Sequence, residues 1–145
     1  MIVRQSPSAT DELRELWRRM AFSVLVSNFD DHLRNHGFLR TSTAGWSLAP
    51  AFDLNPDPRP GERLLSTAID FDDTDASIRL LLDVAPEFRL DSAQALDTLA
   101  VVRAAVGRWR EAASDLGAGE DEIALMEPAF EHAASEDAAG LLARR

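Results

Sequence analysis

The sequence predicts a mainly α-helical fold with a small β-hairpin, and three observations support this prediction. Apolar residues recur at steps of three and four over several stretches, which is the period of an amphipathic helix. Two short extended pieces, "HGFLR" and "GWSLA", are separated by the turn-forming residues "TSTAG", an arrangement typical of a hairpin. The 145 residues, 46% hydrophobic and 28% charged, are enough for one domain with a real core. We therefore expect a single domain over residues 1–145.

The first predicted helix follows a short polar lead. Thr10 or Asp11 can cap it, and its apolar stripe ends just before Ser27 and Asn28. The stripe consists of Leu13, Leu16, Trp17, Met20 and Val24. The hairpin over residues 37–48 comes next, so the polar residues between helix and hairpin form a connecting loop.

After the hairpin, the four prolines of the range 50–60 predict an irregular surface segment rather than a helix. A helical region over residues 77–134 follows, beginning with the short apolar stretch "DASIRLLLDV". The longest helix is predicted to start at an Asp91 cap and to run to Gly117. The last helix has an acidic first turn, and Pro128 should bend or restart it.

Composition narrows the functional classes. The formal net charge of −10 disfavours direct binding to nucleic acid or to an anionic membrane, because their phosphates would be repelled. The same charge suits a divalent cation. Because the chain has no cysteine, disulfides, thiolate catalysis and cysteine-based zinc sites are excluded. The sequence contains no apparent signal peptide and no apolar run long enough to span a membrane, so we expect a cytoplasmic protein.

The stretch "VSNFDDHLRNHGFL", residues 26–39, concentrates polar side chains that are costly to bury among apolar neighbours. It contains Asp30, Asp31, His32, Asn35 and His36. It lies between a predicted helix and a predicted hairpin, and loops that rigid elements hold in place often carry catalytic groups. The stretch is therefore the candidate functional site.

A hairpin returns the chain to the place it left, so residues just before and just after it become neighbours. Asn35 precedes the hairpin and Asp53 follows it, so we expect their side chains to converge. One carboxylate and one amide oxygen suit Mg²⁺, which completes its shell with water and nucleotide phosphates. Asp30 would remain free to orient a hydroxyl nucleophile and to accept its proton.

The site residues follow the order that protein kinases use. This order is an aspartate, an asparagine five positions later, a hairpin and then a second aspartate. The segments "NFDDHLRNHGFL" and "GWSLAPAFDLNP" resemble the catalytic core of HipA-like serine/threonine kinases, the toxins of bacterial toxin–antitoxin pairs. The resemblance is strong over residues 22–56. It implies a protein-kinase-like C-lobe, with catalytic loop 27–36 and metal-binding segment 49–56.

The resemblance also implies roles for individual residues. Asp30 corresponds to the catalytic base, and Asn35 and Asp53 correspond to the metal ligands. His32 corresponds to the loop histidine of the pattern, which we interpret as a structural brace of the catalytic loop. Arg34 could reach a substrate or a phosphate.

The implied activity is transfer of the ATP γ-phosphate to a protein Ser or Thr, with Mg²⁺ as cofactor. The implied partners are ATP, a protein substrate, a small DNA-binding antitoxin and the N-terminal lobe of the kinase. That lobe carries a loop over the phosphates and a lysine, whereas the 29 residues before Asp30 contain no glycine and the whole chain contains no lysine. We therefore expect the N-lobe to be absent and the chain alone to turn over little or no substrate.

Each site residue also has a structural interpretation. Asp30 could cap a helix, Asn35 could form a turn, and Asp53 could form an Asx-turn before the prolines. Asp31 could be a solvated neighbour. His132, which has no partner evident in the sequence, is expected at the surface.

Two other functional classes compete with the kinase. One is a non-catalytic binding or regulatory module, either a remnant of a kinase or one subunit of a split kinase. The other is a metal hydrolase, because His32 and His36 would face one way on a helix and could bind Zn²⁺. The sequence lacks the glutamate of the usual zinc-protease motif, and Gly37 disfavours a helix there.

Overall fold

The structure is a computed structural model that describes residues 2–43, 45–61, 63–70 and 73–145. It is mainly helical with a two-stranded antiparallel hairpin, so the predicted fold class is confirmed. The α-helices are α1 (Ile2–Gln5), α2 (Ala9–Leu25), α3 (Ile78–Asp83), α4 (Ser92–Val106), α5 (Trp109–Asp115), α6 (Glu120–Phe130) and α7 (Ala133–Ala143), the strands are β1 (Phe38–Ser42) and β2 (Gly45–Leu48), and short 3-10 helices lie at Leu33–Asn35 and Ala85–Phe88.

The core forms where α2 packs against α3, α4 and α7. Its largest fully buried apolar side chains are Trp17, Leu25, Ile78, Leu81 and Leu99. The indole Nε1 of Trp17 donates to the Leu81 carbonyl oxygen at 2.9 Å, which satisfies the polar atom that burial of this side chain would otherwise leave unpaired. In the part of the chain that the structure describes, no helix has both the length and the apolar character needed to cross a membrane.

Helix α2 confirms the first predicted helix, although its start differs. It begins at Ala9 with Ser8 in the capping position, so the predicted cap at Thr10 or Asp11 is wrong by two or three residues. Asp11 instead lies in the first turn, where the positive end of the helix dipole stabilises its carboxylate.

The hairpin pairs β1 with β2 in antiparallel register, with Phe38 opposite Leu48. At its base, the amide of Ala49 donates to the carbonyl oxygen of Gly37 at 2.8 Å. The chain therefore leaves and returns at one point, as the sequence predicts. The predicted turn includes Ala44, which lies outside the described residues.

The segment after the hairpin is irregular, as its prolines predict. Residues 49–61 contain no helix or strand. Farther on, an isolated antiparallel bridge joins Leu64 and Asp75, and the amide of Leu65 donates to the Thr74 carbonyl oxygen at 2.8 Å. This bridge closes the segment that contains Ser66 and Thr67, which contact the candidate loop.

The predicted helix from Asp91 to Gly117 is divided into α4 and α5. Asp91 does form the predicted cap, because its Oδ1 accepts from the Gln94 amide at 2.8 Å while Gln94 Oε1 accepts from the Asp91 amide at 3.1 Å. Helix α4 ends at Val106, and the next residue is Gly107, a residue type that weakens helices. Because of this break, α2, with 17 residues, is longer than α4, with 15.

Pro128 lies inside α6, which continues to Phe130 before the chain restarts as α7. The break therefore falls after the proline rather than at it. His132 occupies the start of α7 and is 8% exposed, so the expectation of a surface histidine is wrong. Its Nε2 donates to the Leu25 carbonyl oxygen at 3.2 Å, because α7 folds back onto α2.

Candidate active site

The candidate loop begins where α2 ends, at two buried polar residues. Ser27 adopts a left-handed backbone conformation, with φ of 57°, which turns the chain away from the helix axis. Asn28 follows, and its amide donates to the Ser23 carbonyl oxygen at 2.8 Å while its Nδ2 lies 3.3 Å from Ser23 Oγ. These contacts satisfy polar groups at the helix end and fix the direction in which the loop leaves it.

The start of the loop is also held from the opposite side. The hydroxyl of Ser27 donates to the Ala129 carbonyl oxygen at 2.9 Å and accepts from Arg63. Arg63 also donates to the Pro128 carbonyl oxygen at 2.8 Å, and its guanidinium lies 5.6 Å from the centre of the Phe29 ring. Burial lowers the pKa of Arg63. The end of helix α6 therefore anchors the candidate loop.

The carboxylate of Asp30 is exposed on the loop. Its Oδ1 lies 3.5 Å from the hydroxyl oxygen of Ser66, which is the outer limit of a hydrogen bond. The next helical turn is Leu33–Asn35, and its capping position is His32. Asp30 is therefore not a helix cap, and its carboxylate stands where an incoming hydroxyl can reach it.

The hairpin brings Asn35 and Asp53 together. Asn35 Nδ2 donates to Asp53 Oδ2 at 2.5 Å, although 18 residues separate them in sequence. The second carboxylate oxygen, Oδ1, accepts from Asn55 Nδ2 at 2.7 Å. The backbone of Asp53 adopts a left-handed conformation, with φ of 57°. The predicted Asx-turn would use the backbone amide two residues on, whereas the observed contact comes from the side-chain amide of Asn55.

The Asn35–Asp53 pair has the donor atoms that Mg²⁺ requires. Asn35 is 5% exposed, and its buried Oδ1 has no hydrogen-bond partner within the described part of the chain, while its Nδ2 lies against the carboxylate. A half-turn of the amide exchanges these two atoms, so Oδ1 and Asp53 would then both face a cation. Within the described ranges, no cluster of three or more His, Asp or Glu side chains is arranged to hold a metal. The pair therefore fits Mg²⁺ that arrives with nucleotide phosphates.

Asp31 is buried, so its interpretation as a solvated neighbour is wrong. Its Oδ2 accepts from Ser23 Oγ at 3.0 Å and its Oδ1 lies 3.2 Å from His36 Nε2. Burial acts to raise the pKa of Asp31, but the hydrogen bond and charge of His36, together with the hydrogen bond of Ser23, outweigh burial and lower it. Asp31 therefore stabilises the loop from inside, while Asp30 faces outward.

The two loop histidines differ in their contacts. The backbone carbonyl oxygen of His32 accepts from the backbone amide of Asn35 at 2.8 Å. This hydrogen bond helps to hold Asn35 beside Asp53. Its ring Nδ1 is buried and has no partner among the described residues, so bracing by the imidazole itself stays a prediction. His32 and His36 flank a 3-10 turn rather than sharing an α-helix, which removes the geometric basis for a zinc pair. Arg34 is exposed.

Sequence reasoning missed Arg59 as a neighbour of the site. Arg59 binds the carboxylate of Asp57 through Nε at 2.9 Å and through Nη2 at 2.5 Å. The hydrogen bonds to Asp57 raise the pKa of Arg59, and the charge of Asp30 raises it further. Because each of these residues is followed by a proline, the stiff repeat "PDPRP" could have indicated an ordered pair.

Comparison with known protein families gives a match over most of the chain. The family described as HipA-like C-terminal domain matches residues 1–114, a span that contains the loop, the hairpin and the Asn35–Asp53 pair. No curated protein and no solved structure matches the chain significantly.

Proposed function

Because this chain belongs to the HipA-like C-terminal domain family, we propose that it forms the catalytic lobe of an ATP- and Mg²⁺-dependent kinase that phosphorylates protein Ser or Thr residues. The observation that carries this proposal is the 2.5 Å contact between Asn35 and Asp53. It gathers an amide and a carboxylate at the base of a hairpin that starts and ends beside the loop of Asp30. A non-catalytic module would not require this arrangement.

Asp30 is the proposed general base. Its carboxylate accepts the proton of the acceptor hydroxyl while the hydroxyl oxygen attacks the γ-phosphorus of ATP. The new oxygen–phosphorus bond forms as the bond between the γ-phosphorus and the bridging oxygen breaks, and ADP leaves with that electron pair. The exposure of Asp30 supports this role, because a buried and fully paired carboxylate such as Asp31 could not reach a protein substrate.

Asn35 and Asp53 are the proposed ligands of Mg²⁺. The cation, when bound, neutralises charge on the ATP phosphates. The protein's contribution is to hold one carboxylate and one amide oxygen at a fixed separation, which the hairpin base does by fixing the two chain segments. His32 is proposed to support Asn35 through the loop, and Arg34 to contact substrate or phosphate.

ATP and a protein substrate are the proposed ligands, and an antitoxin partner rests on the family alone. Phosphoryl transfer depends on charged groups around the phosphates, and these 145 residues contain no lysine. We therefore propose that they work with an N-terminal lobe, whether on the same polypeptide or on another. Without it, we expect weak binding of Mg·ATP and little turnover.

Phosphoryl transfer from labelled ATP tests the proposal. The protein would be the full product of the reading frame that contains these residues, supplemented with the N-terminal lobe of a HipA-like kinase if that product lacks one. We expect labelled phosphoprotein in the presence of Mg²⁺. Asp30→Ala should reduce the rate by at least about a hundredfold, the low end of the usual contribution of a general base.

The matched control is Asp115→Ala, which removes an exposed carboxylate at the end of α5 and should leave the rate unchanged. Equal labelling by wild-type protein and Asp30→Ala would refute the assignment of the base. Absence of labelling by the wild-type protein with both lobes present would refute the kinase activity.

A further inference from the structure

The segment Ser66–Thr67 lies across the catalytic loop and contacts three consecutive loop residues. The amide of Ser66 donates to the Phe29 carbonyl oxygen at 2.8 Å, and the hydroxyl of Thr67 donates to the Asp31 carbonyl oxygen at 2.9 Å. Between these two contacts, the hydroxyl of Ser66 lies 3.5 Å from Asp30 Oδ1. The segment therefore brackets the proposed base on both sides.

The two outer contacts have the lengths of ordinary hydrogen bonds and fix the backbone on either side of Asp30. They also fix the backbone of Ser66 relative to Asp30. The central contact is long, but catalytic hydrogen bonds are often long before substrate binds. A small rotation of either side chain shortens it without moving the backbone.

We infer that Ser66 is a positioning residue that sets the direction of the Asp30 carboxylate. This inference rests on the proposed function. The hydroxyl of Ser66 donates to Oδ1, which turns the other oxygen, Oδ2, toward the position of the acceptor hydroxyl. An ionised carboxylate accepts but does not donate, so a hydroxyl suits this task. Among the described residues, the guanidinium of Arg59 binds the carboxylate of Asp57 through several hydrogen bonds. Arg59 therefore does not replace Ser66 as the donor to the carboxylate of Asp30.

Asp30 needs such a partner because its side chain is exposed. An exposed aspartate without a fixed partner populates several staggered rotamers, and only one of them presents Oδ2 to the acceptor. Loss of the Ser66 hydroxyl should therefore lower kcat, by about tenfold if the contact has the strength of a hydrogen bond to a charged group. The KM for ATP should not change, because Ser66 does not belong to the metal-binding pair.

Three-bond NMR couplings from Asp30 Cγ to its backbone nitrogen and carbonyl carbon measure its χ1 rotamer in the 145-residue protein, without ATP. We expect couplings of one dominant rotamer in the wild type and averaged couplings in Ser66→Ala. Ser66→Thr keeps a hydroxyl and should restore the single rotamer. Ser114→Ala, which removes an exposed hydroxyl on α5, is the matched control and should change nothing.

Averaged couplings in the wild type, or unchanged couplings in Ser66→Ala, would overturn the inference. In the active protein, a kcat of Ser66→Ala equal to that of the wild type would overturn it too. Because the couplings require no phosphoryl transfer, failure of this inference is distinct from failure of the proposed function, which would appear as absence of labelling by the wild-type protein.

Discussion

Asp30 and Asp31 show how strongly local geometry separates neighbouring residues of one type. The carboxylate of Asp31 is buried and paired with Ser23 and His36, whereas that of Asp30 is exposed. Their environments assign them different tasks, and active sites often divide roles between carboxylates in this way. The sequence "DD" alone could not predict which of the two faces inward, because that depends on the left-handed turn at Ser27.

His132 gives a prediction for the pH dependence of stability. Burial lowers its pKa from the usual 6.5, and the charge of Arg63 adds to this effect. The unfolded chain therefore binds a proton at His132 that the folded chain does not, so the free energy of unfolding falls as pH falls through the unfolded pKa. Urea unfolding of the wild type at pH 7.5 and pH 5.5, about one unit either side of that value, should show this loss.

His132→Gln removes the titration and is the comparison for that measurement. The wild type should lose more stability between the two pH values than His132→Gln loses. An equal loss in both proteins would contradict the assignment of His132 as a buried neutral residue.

At the scale of elements, the hairpin base determines whether Asn35 and Asp53, the proposed metal ligands, meet. A β-carbon at Gly37 would lie 3.2 Å from Cε1 of Phe52, which is tight enough that this ring must shift by a few tenths of an ångström, and 3.4 Å from Cβ of Ala49, which is an ordinary contact. Gly37→Ala should therefore destabilise the protein by about 1 kcal/mol, measured by urea unfolding. It should also displace Phe52, and with it the adjacent Asp53.

Gly140 provides a matched control for that substitution. Nothing lies within 4 Å of an added β-carbon there, and Gly140 is inside α7, where alanine is favoured over glycine by about 1 kcal/mol. Gly140→Ala should therefore be neutral or stabilising. If Gly37→Ala were as stable as Gly140→Ala, the close packing at the hairpin base would not constrain the site.

Most elements near the site follow from local patterns in the sequence. The apolar stripe of α2, the turn formers of the hairpin and the cap at Asp91 are short-range features, and each predicts its element. The sequence does not indicate the division of α4 from α5, because apolar residues keep helical spacing on both sides of Gly107 up to Trp109. Helix propensity is weak evidence against such a pattern.

At the scale of the whole molecule, the contacts that the sequence could not predict join distant parts of the chain. His132 bonds to Leu25, 107 residues away, and Ser27 bonds to Ala129, 102 residues away. Such pairs leave no periodic pattern in the sequence. They show that α6 and α7, which lie beyond residues 1–114 of the family match, pack behind the candidate loop and anchor its first residues.

Because the chain is acidic, any metal experiment must distinguish specific from nonspecific cation binding. With a net charge of −10, the surface attracts divalent cations at many places. The first turn of α6 contains Glu120, Asp121 and Glu122, and acidic residues also surround Asp73 and Asp75. A specific site at Asn35 and Asp53 must therefore be distinguished from these clusters by position and not by affinity alone.

Titration with Mn²⁺ in the presence of ATP, followed by NMR line broadening in the 145-residue protein, tests the convergence of Asn35 and Asp53 into a cation site most directly. Mn²⁺ is a paramagnetic substitute for Mg²⁺, and the pair fits a cation that arrives with nucleotide phosphates. We predict that at the lowest Mn²⁺ concentrations the side-chain amide signals of Asn35 and Asn55 broaden first. Asp53→Ala should abolish this broadening, and Asp121→Ala should not. Broadening that starts in the first turn of α6 and is unchanged by Asp53→Ala would contradict the account.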